Sequence, residues 1–96
     1  MNRAEFEVNL RQEGYEISED EIEPNRHRGF HAHPVDARIL VLDGSITLVV
    51  GTERVTYRPG DSISLPAGTK HEEHTEADGA RYVIGRRAPV AAAAAK

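Results

Sequence analysis

The chain has no cysteine and no tryptophan, one methionine, two phenylalanines and three tyrosines in 96 residues. Without cysteine there is no disulfide, no thiolate metal site and no sulfur nucleophile, so any metal must be held by histidine, carboxylate or water. Long apolar runs are missing as well. The longest strongly apolar one, Ile39-Leu40-Val41-Leu42, is bounded by Arg38 and Asp43, far short of the ~20 residues of a membrane span. The first residues carry no apolar stretch of the signal-peptide kind, so a cytoplasmic location is expected. Positive charge is in deficit: 12 Lys+Arg against 16 Asp+Glu leave a net charge of −4. That balance offers no basic footprint for nucleic acid. A chain of this length can bury one core but cannot hold a cofactor domain beside a substrate domain.

What is present is a change of period. Residues 2–12 predict a short amphipathic helix. Asn2 is a plausible N-cap, Glu5 follows three positions later, Phe6 and Leu10 share a face, and Gly14 is a stop. From Tyr15 the pattern alternates. Eight short strands are expected near 15–22, 29–33, 37–42, 45–50, 55–58, 62–65, 70–75 and 80–85. Pro24-Asn25, Pro34, Asp43-Gly44, Gly51-Thr52, Pro59-Gly60-Asp61, Pro66-Ala67-Gly68 and Ala77-Asp78-Gly79 separate them. Asp43-Gly44 reads as a two-residue hairpin. No connection is long enough for a parallel crossover, so the class is all-β and antiparallel, a sandwich or barrel. The organisation expected is a helix at 1–14, a β-domain at 15–87 and a disordered alanine-rich tail at 88–96. Ile39, Val41, Ile46, Leu48, Ile63 and Leu65 are the expected core. Arg38, Leu40 and Leu42 fall on the opposite face of their strand, which the helix or a second chain must cover; a homodimer is expected on that ground.

All five histidines lie between positions 27 and 74. His31 and His33 are two apart on an expected strand, so both rings leave the same face, as two nitrogen ligands of one ion must. By itself such a pair also describes two surface histidines. His71 follows the Pro66-Ala67-Gly68 turn. By parity Glu73 and Thr75 share its face, while Glu72 and His74 point the other way. His27 has the parity of His31 and His33 and is a candidate for the pocket mouth, or else a solvated residue between Arg26 and Arg28. Tyr82 alternates with Ile84 and belongs to the core or the rim. No glycine-rich phosphate loop and no nucleophile-elbow serine is present, and no residue declares itself as a catalytic acid or base.

These residues resemble the cupin superfamily. His31, His33 and Gly44 match the first cupin motif at the right spacing. Gly60, Pro66, Gly68 and His71 match the second in full register. The resemblance covers roughly residues 15–87 and implies a double-stranded β-helix, or jelly-roll, barrel with a site at one mouth. His71 then faces His31 and His33 across the barrel, and the three hold a divalent transition metal. Three imidazoles suit zinc, nickel, iron, copper or manganese better than magnesium or calcium. There are departures. The family's leading glycine falls on Asn25, its asparagine on Thr75, and the glutamate that usually completes the metal site falls on Ala37. Water, a bound anion or Glu73 is expected to fill that gap. The implied ligand is a small polar or anionic molecule. A metal-dependent enzyme, a non-catalytic small-ligand binder and an interaction module with a vestigial site all remain open.

Overall fold

The structure is a computed structural model, and it describes residues 1–89. Residues 90–96, most of the expected tail, lie outside the described residues. One helix, α1 (Arg3–Gln12), precedes eight strands: β1 (Glu16–Ile22), β2 (His27–His31), β3 (Asp36–Gly44), β4 (Ile46–Val50), β5 (Glu53–Tyr57), β6 (Ser62–Leu65), β7 (His71–His74) and β8 (Ala80–Arg87). They form two four-stranded antiparallel sheets, ordered β1-β8-β3-β6 and β2-β7-β4-β5. That arrangement is consistent with a double-stranded β-helix. None of the described helices is long and apolar enough to cross a membrane.

The helix is defined by its ends. Asn2 accepts a hydrogen bond from the Glu5 amide at 2.9 Å, and Gly14, at φ 79°, ends the last turn. The Gly14 amide donates to the Arg11 carbonyl and the Tyr15 amide to the Leu10 carbonyl, the paired closure that a glycine just past a helix permits. Phe6 and Leu10 are fully buried against Leu40 and Val83, with Tyr15, Ile17 and Leu42 around them. Gly85 makes the approach possible, since a Cβ there would lie 2.8 Å from Leu10 Cδ1. The helix therefore occupies the outer face of β3, and that face no longer argues for a second chain.

The main core lies between the sheets. Alternate residues of β3, β4, β6 and β8 fill it, including Ile39, Val41, Ile46, Leu48, Ile63, Leu65 and Ile84. One expectation from the sequence is corrected. Asp43-Gly44 does not close a hairpin, because β3 and β4 belong to different sheets. Gly44, at φ 72°, is a corner at which the chain crosses between them. A Cβ there would sit 2.0 Å from the Gly79 carbonyl oxygen, so packing against a distant turn, invisible to local turn statistics, sets this geometry.

Truncating the buried helix contact tests this packing. Leu10→Ala is expected to destabilise the fold by about 2–5 kcal/mol in chemical denaturation; a loss below about 1 kcal/mol would mean that the helix is not docked as described.

Candidate metal centre

The site starts from a turn. Pro66-Ala67-Gly68 delivers the chain from β6 into β7, and it also clasps the segment after β2. The Gly68 amide donates to the His33 carbonyl at 2.9 Å, and the Ala67 amide donates to Asp36 Oδ1 at 2.8 Å. His33 was expected on a strand beside His31; the strand ends at His31 instead, and His33 lies in the loop beyond it. The turn, rather than strand pairing, holds it in place. At the far end of β7, Thr75 is buried and ties the loops together. Its hydroxyl accepts from the Arg26 amide and donates to the Glu23 carbonyl.

Pairing of β2 with β7 then decides which side chains enter. Arg28 lies opposite Glu73 and His31 opposite His71, with a register shift between Arg28 and His31. Three positions on β2 thus span two on β7. The extra residue lets Arg28 and His31 face the same side despite their odd separation. This overturns the placement of His27 at the pocket mouth. His27 is exposed on the outer side, its Nδ1 2.9 Å from His74 Nδ1, and His74 in turn contacts Glu72 at 2.8 Å. The sequence parity of His27 fails because the bulge inverts it.

His31, His33, His71 and Glu73 converge. Each offers one ligand atom, and these atoms all lie within 4.8 Å of one another. The ring centroids are 4.4 Å apart for His31 and His71, 5.0 Å for His31 and His33, and 5.3 Å for His33 and His71. A tetrahedral ion with ~2.0–2.1 Å bonds separates its donors by about 3.3 Å, so modest side-chain rotation closes the set. His71 is 1% exposed and Glu73 12%.

The hydrogen bonds fix which nitrogens face inward. His31 Nδ1 donates to the Gly29 carbonyl at 2.7 Å and His71 Nδ1 to the Thr69 carbonyl at 3.0 Å. A carbonyl only accepts, so each of these Nδ1 atoms carries a proton, and Nε2 is the nitrogen that each ring turns to the centre. Glu73 Oε1 lies 3.1 Å from His71 Nε2 and 3.7 Å from His31 Nε2. An imidazole nitrogen of each ring and a carboxylate oxygen face one another there, and a proton or a cation between them satisfies the set. That is the donor chemistry of a divalent transition metal, and the backbone carbonyls behind the rings orient the ligands as metal sites commonly require. Arg28 Nη1 holds the other carboxylate oxygen, Oε2, at 3.2 Å.

Beside the cluster is a cavity of about 180 Å³, lined by His33, Ala37, Glu73, Tyr82, Arg28 and Arg86 among others. Tyr82 is buried, and its phenol is held protonated above its ordinary range by burial first and by the charges of Asp20 and Glu73 second. Arg28 and Arg86 escaped the sequence reading. The bulge hid Arg28, whereas the alternation Tyr82, Ile84, Arg86 was a signal that pointed to Arg86.

The cupin-domain family profile matches residues 18–84, and the chain belongs to the cupin family. Solved structures agree in fold. A cupin-2 domain protein from Shewanella frigidimarina is 19% identical at a TM-score of 0.63, with 76% of this chain and 71% of that one covered. The polyketide cyclase RemF from Streptomyces resistomycificus is 28% identical at 0.65, with 75% and 54% covered. The DMSP lyase DddQ from Ruegeria pomeroyi is 20% identical at 0.68, with 77% and 38% covered. No curated protein matches the chain in sequence.

The crowding of rings has a measurable consequence. Burial first, then the charges of His31 and His71, lower the His33 pKa from its ordinary value of 6.5. The folded state thus favours neutral His33, and this group's contribution to stability is present above about pH 6.5 and lost as pH falls through the window below it. An NMR titration of metal-free protein should place the His33 midpoint below that of an unfolded-state histidine, and His31→Ala should move it upward. A midpoint at or above the unfolded value would contradict the arrangement.

Proposed function

We propose that this cupin binds one divalent transition metal through His31, His33 and His71, with Glu73 as the fourth donor in place of a carboxylate at position 37. It binds or acts on a small polar or anionic molecule in the adjoining cavity. One observation carries the reading: His31 and His71 each turn Nδ1 to a backbone carbonyl, which leaves Nε2 of both rings facing the Glu73 carboxylate. The ion supplies Lewis acidity and, in cupin fashion, positions left open for water or ligand. The chain's own residues do the rest. The two carbonyls set the ring orientation, Arg28 holds Glu73, and the apolar residues of the cavity wall restrict water. The cavity, at about 180 Å³, is smaller than the ~300–1,000 Å³ typical of drug-sized ligands, so the molecule is small. The likeness to a polyketide cyclase, 28% identical and longer than this chain, supports a small-molecule site.

A metal-free reading rests on the 3.1 Å contact between His71 and Glu73. A proton on His71 Nε2 would also satisfy that pair, and the protein would then be a non-catalytic binding or interaction module. Elemental analysis of protein prepared without an affinity tag separates the two. About one transition-metal ion per chain is expected, with the His31→Ala/His71→Ala double variant retaining strand content but no metal. Glu73→Gln should weaken metal affinity at least tenfold, about 1.4 kcal/mol. Metal-free wild-type protein that takes up no zinc, cobalt or nickel on dialysis would establish the second reading.

A further inference from the structure

Arg86 follows Tyr82 and Ile84 on the inward face of β8 and lines the cavity. Its partners across the two ladders are Ala37 on β3 and Glu16 on β1. Position 37 is where the family pattern has a glutamate, so Arg86 is the ladder neighbour of the position that lacks the carboxylate. Arg86 donates from Nη1 to Ser18 Oγ at 3.1 Å, and among the described residues no carboxylate lies within ion-pair distance of it. The other arginine of the cavity, Arg28, is committed to Glu73. The cavity lining therefore includes one guanidinium, on an exposed residue, that makes no ion pair among the described residues.

The charges agree. Arg28 and Arg86 are balanced by Asp20 and Glu73 among the groups lining the cavity, so a divalent ion at the histidines leaves the site with an excess of positive charge. Glu16 is the acid opposite Arg86 in the β1–β8 register and Asp20 lies opposite Tyr82, two inward positions along the ladder; neither forms an ion pair with Arg86. Tyr82 stays protonated and can donate but not repel.

We propose that Arg86 is the specificity-determining residue for a small carboxylate ligand, whose carboxylate takes the place beside Ala37 while its other end reaches the histidine cluster. This names the ligand class of the site proposed above and rests on that reading for the second anchor only. The carboxylate is held by a charge-assisted, two-point contact from the guanidinium, with Ser18 as a further hydroxyl neighbour. Ligands ending in an amide or an alcohol lose that contact.

Cobalt-loaded protein reports on the second anchor through the absorption band that appears when a thiolate binds cobalt. The probes are 3-mercaptopropionate, which carries a carboxylate, and 2-mercaptoethanol, which does not. Wild-type protein should bind 3-mercaptopropionate about tenfold or more tightly than 2-mercaptoethanol, as loss of a charged hydrogen bond of ~1.5–3 kcal/mol implies. Arg86→Gln should erase the preference and leave 2-mercaptoethanol affinity unchanged; its thermal midpoint checks that it folds. No preference in the wild type, or a preference that survives in Arg86→Gln, overturns the proposal. If the protein takes up no cobalt, the metal reading has failed and the carboxylate site is decided on metal-free protein. Propionate must then shift the Arg86 Nε–Hε NMR signal and propionamide must not; equal or absent shifts overturn it.

Discussion

One irregularity in strand pairing organises the site. Arg28 and His31 are three residues apart, so a regular strand would send them to opposite sides. The bulge between them gives both to the inner face, opposite Glu73 and His71. Every later feature depends on that count. His31 completes the histidine cluster, Arg28 steadies the Glu73 carboxylate, and His27 is expelled to the outer surface. Bulges re-aim side chains at functional edges because one extra residue changes the parity of everything beyond it.

The inner face then gathers polar groups that an apolar core would not tolerate unpaired. The Glu73 carboxylate and the Nε2 atoms of His31 and His71 meet at one point, and the backbone carbonyls of Gly29 and Thr69 hold the rings in that orientation. Burying such groups without a compensating positive charge costs several kcal/mol. A carboxylate at position 73, with an alanine at 37, has a second effect. It places the acid on the same strand as His71, and it leaves Ala37 beside Arg86.

Much of this was legible in the sequence because turns and alternation are local. The eight strands follow from glycine and proline punctuation. The inward set His71 and Glu73 follows from the regular alternation of β7, and Asn2, Phe6, Leu10 and Gly14 mark the helix. What was hidden is what only distant packing decides. The bulge in β2 has no composition signal, so the parities of His27 and Arg28 came out inverted. The Gly44 corner looks like a hairpin until Gly79 is brought against it. The outward Leu40 and Leu42 needed a cover, and only the packed structure shows that α1 supplies it.

The central claim is that three imidazoles and one carboxylate meet on a single ion. X-ray absorption spectroscopy of the zinc-loaded protein measures that directly. The account predicts a shell of nitrogen and oxygen donors at ~2.0–2.1 Å with the multiple-scattering pattern of about three imidazoles, reduced to about one in the His31→Ala/His71→Ala variant if any zinc remains. An all-oxygen shell without imidazole scattering, or a spectrum identical in that variant, would contradict it.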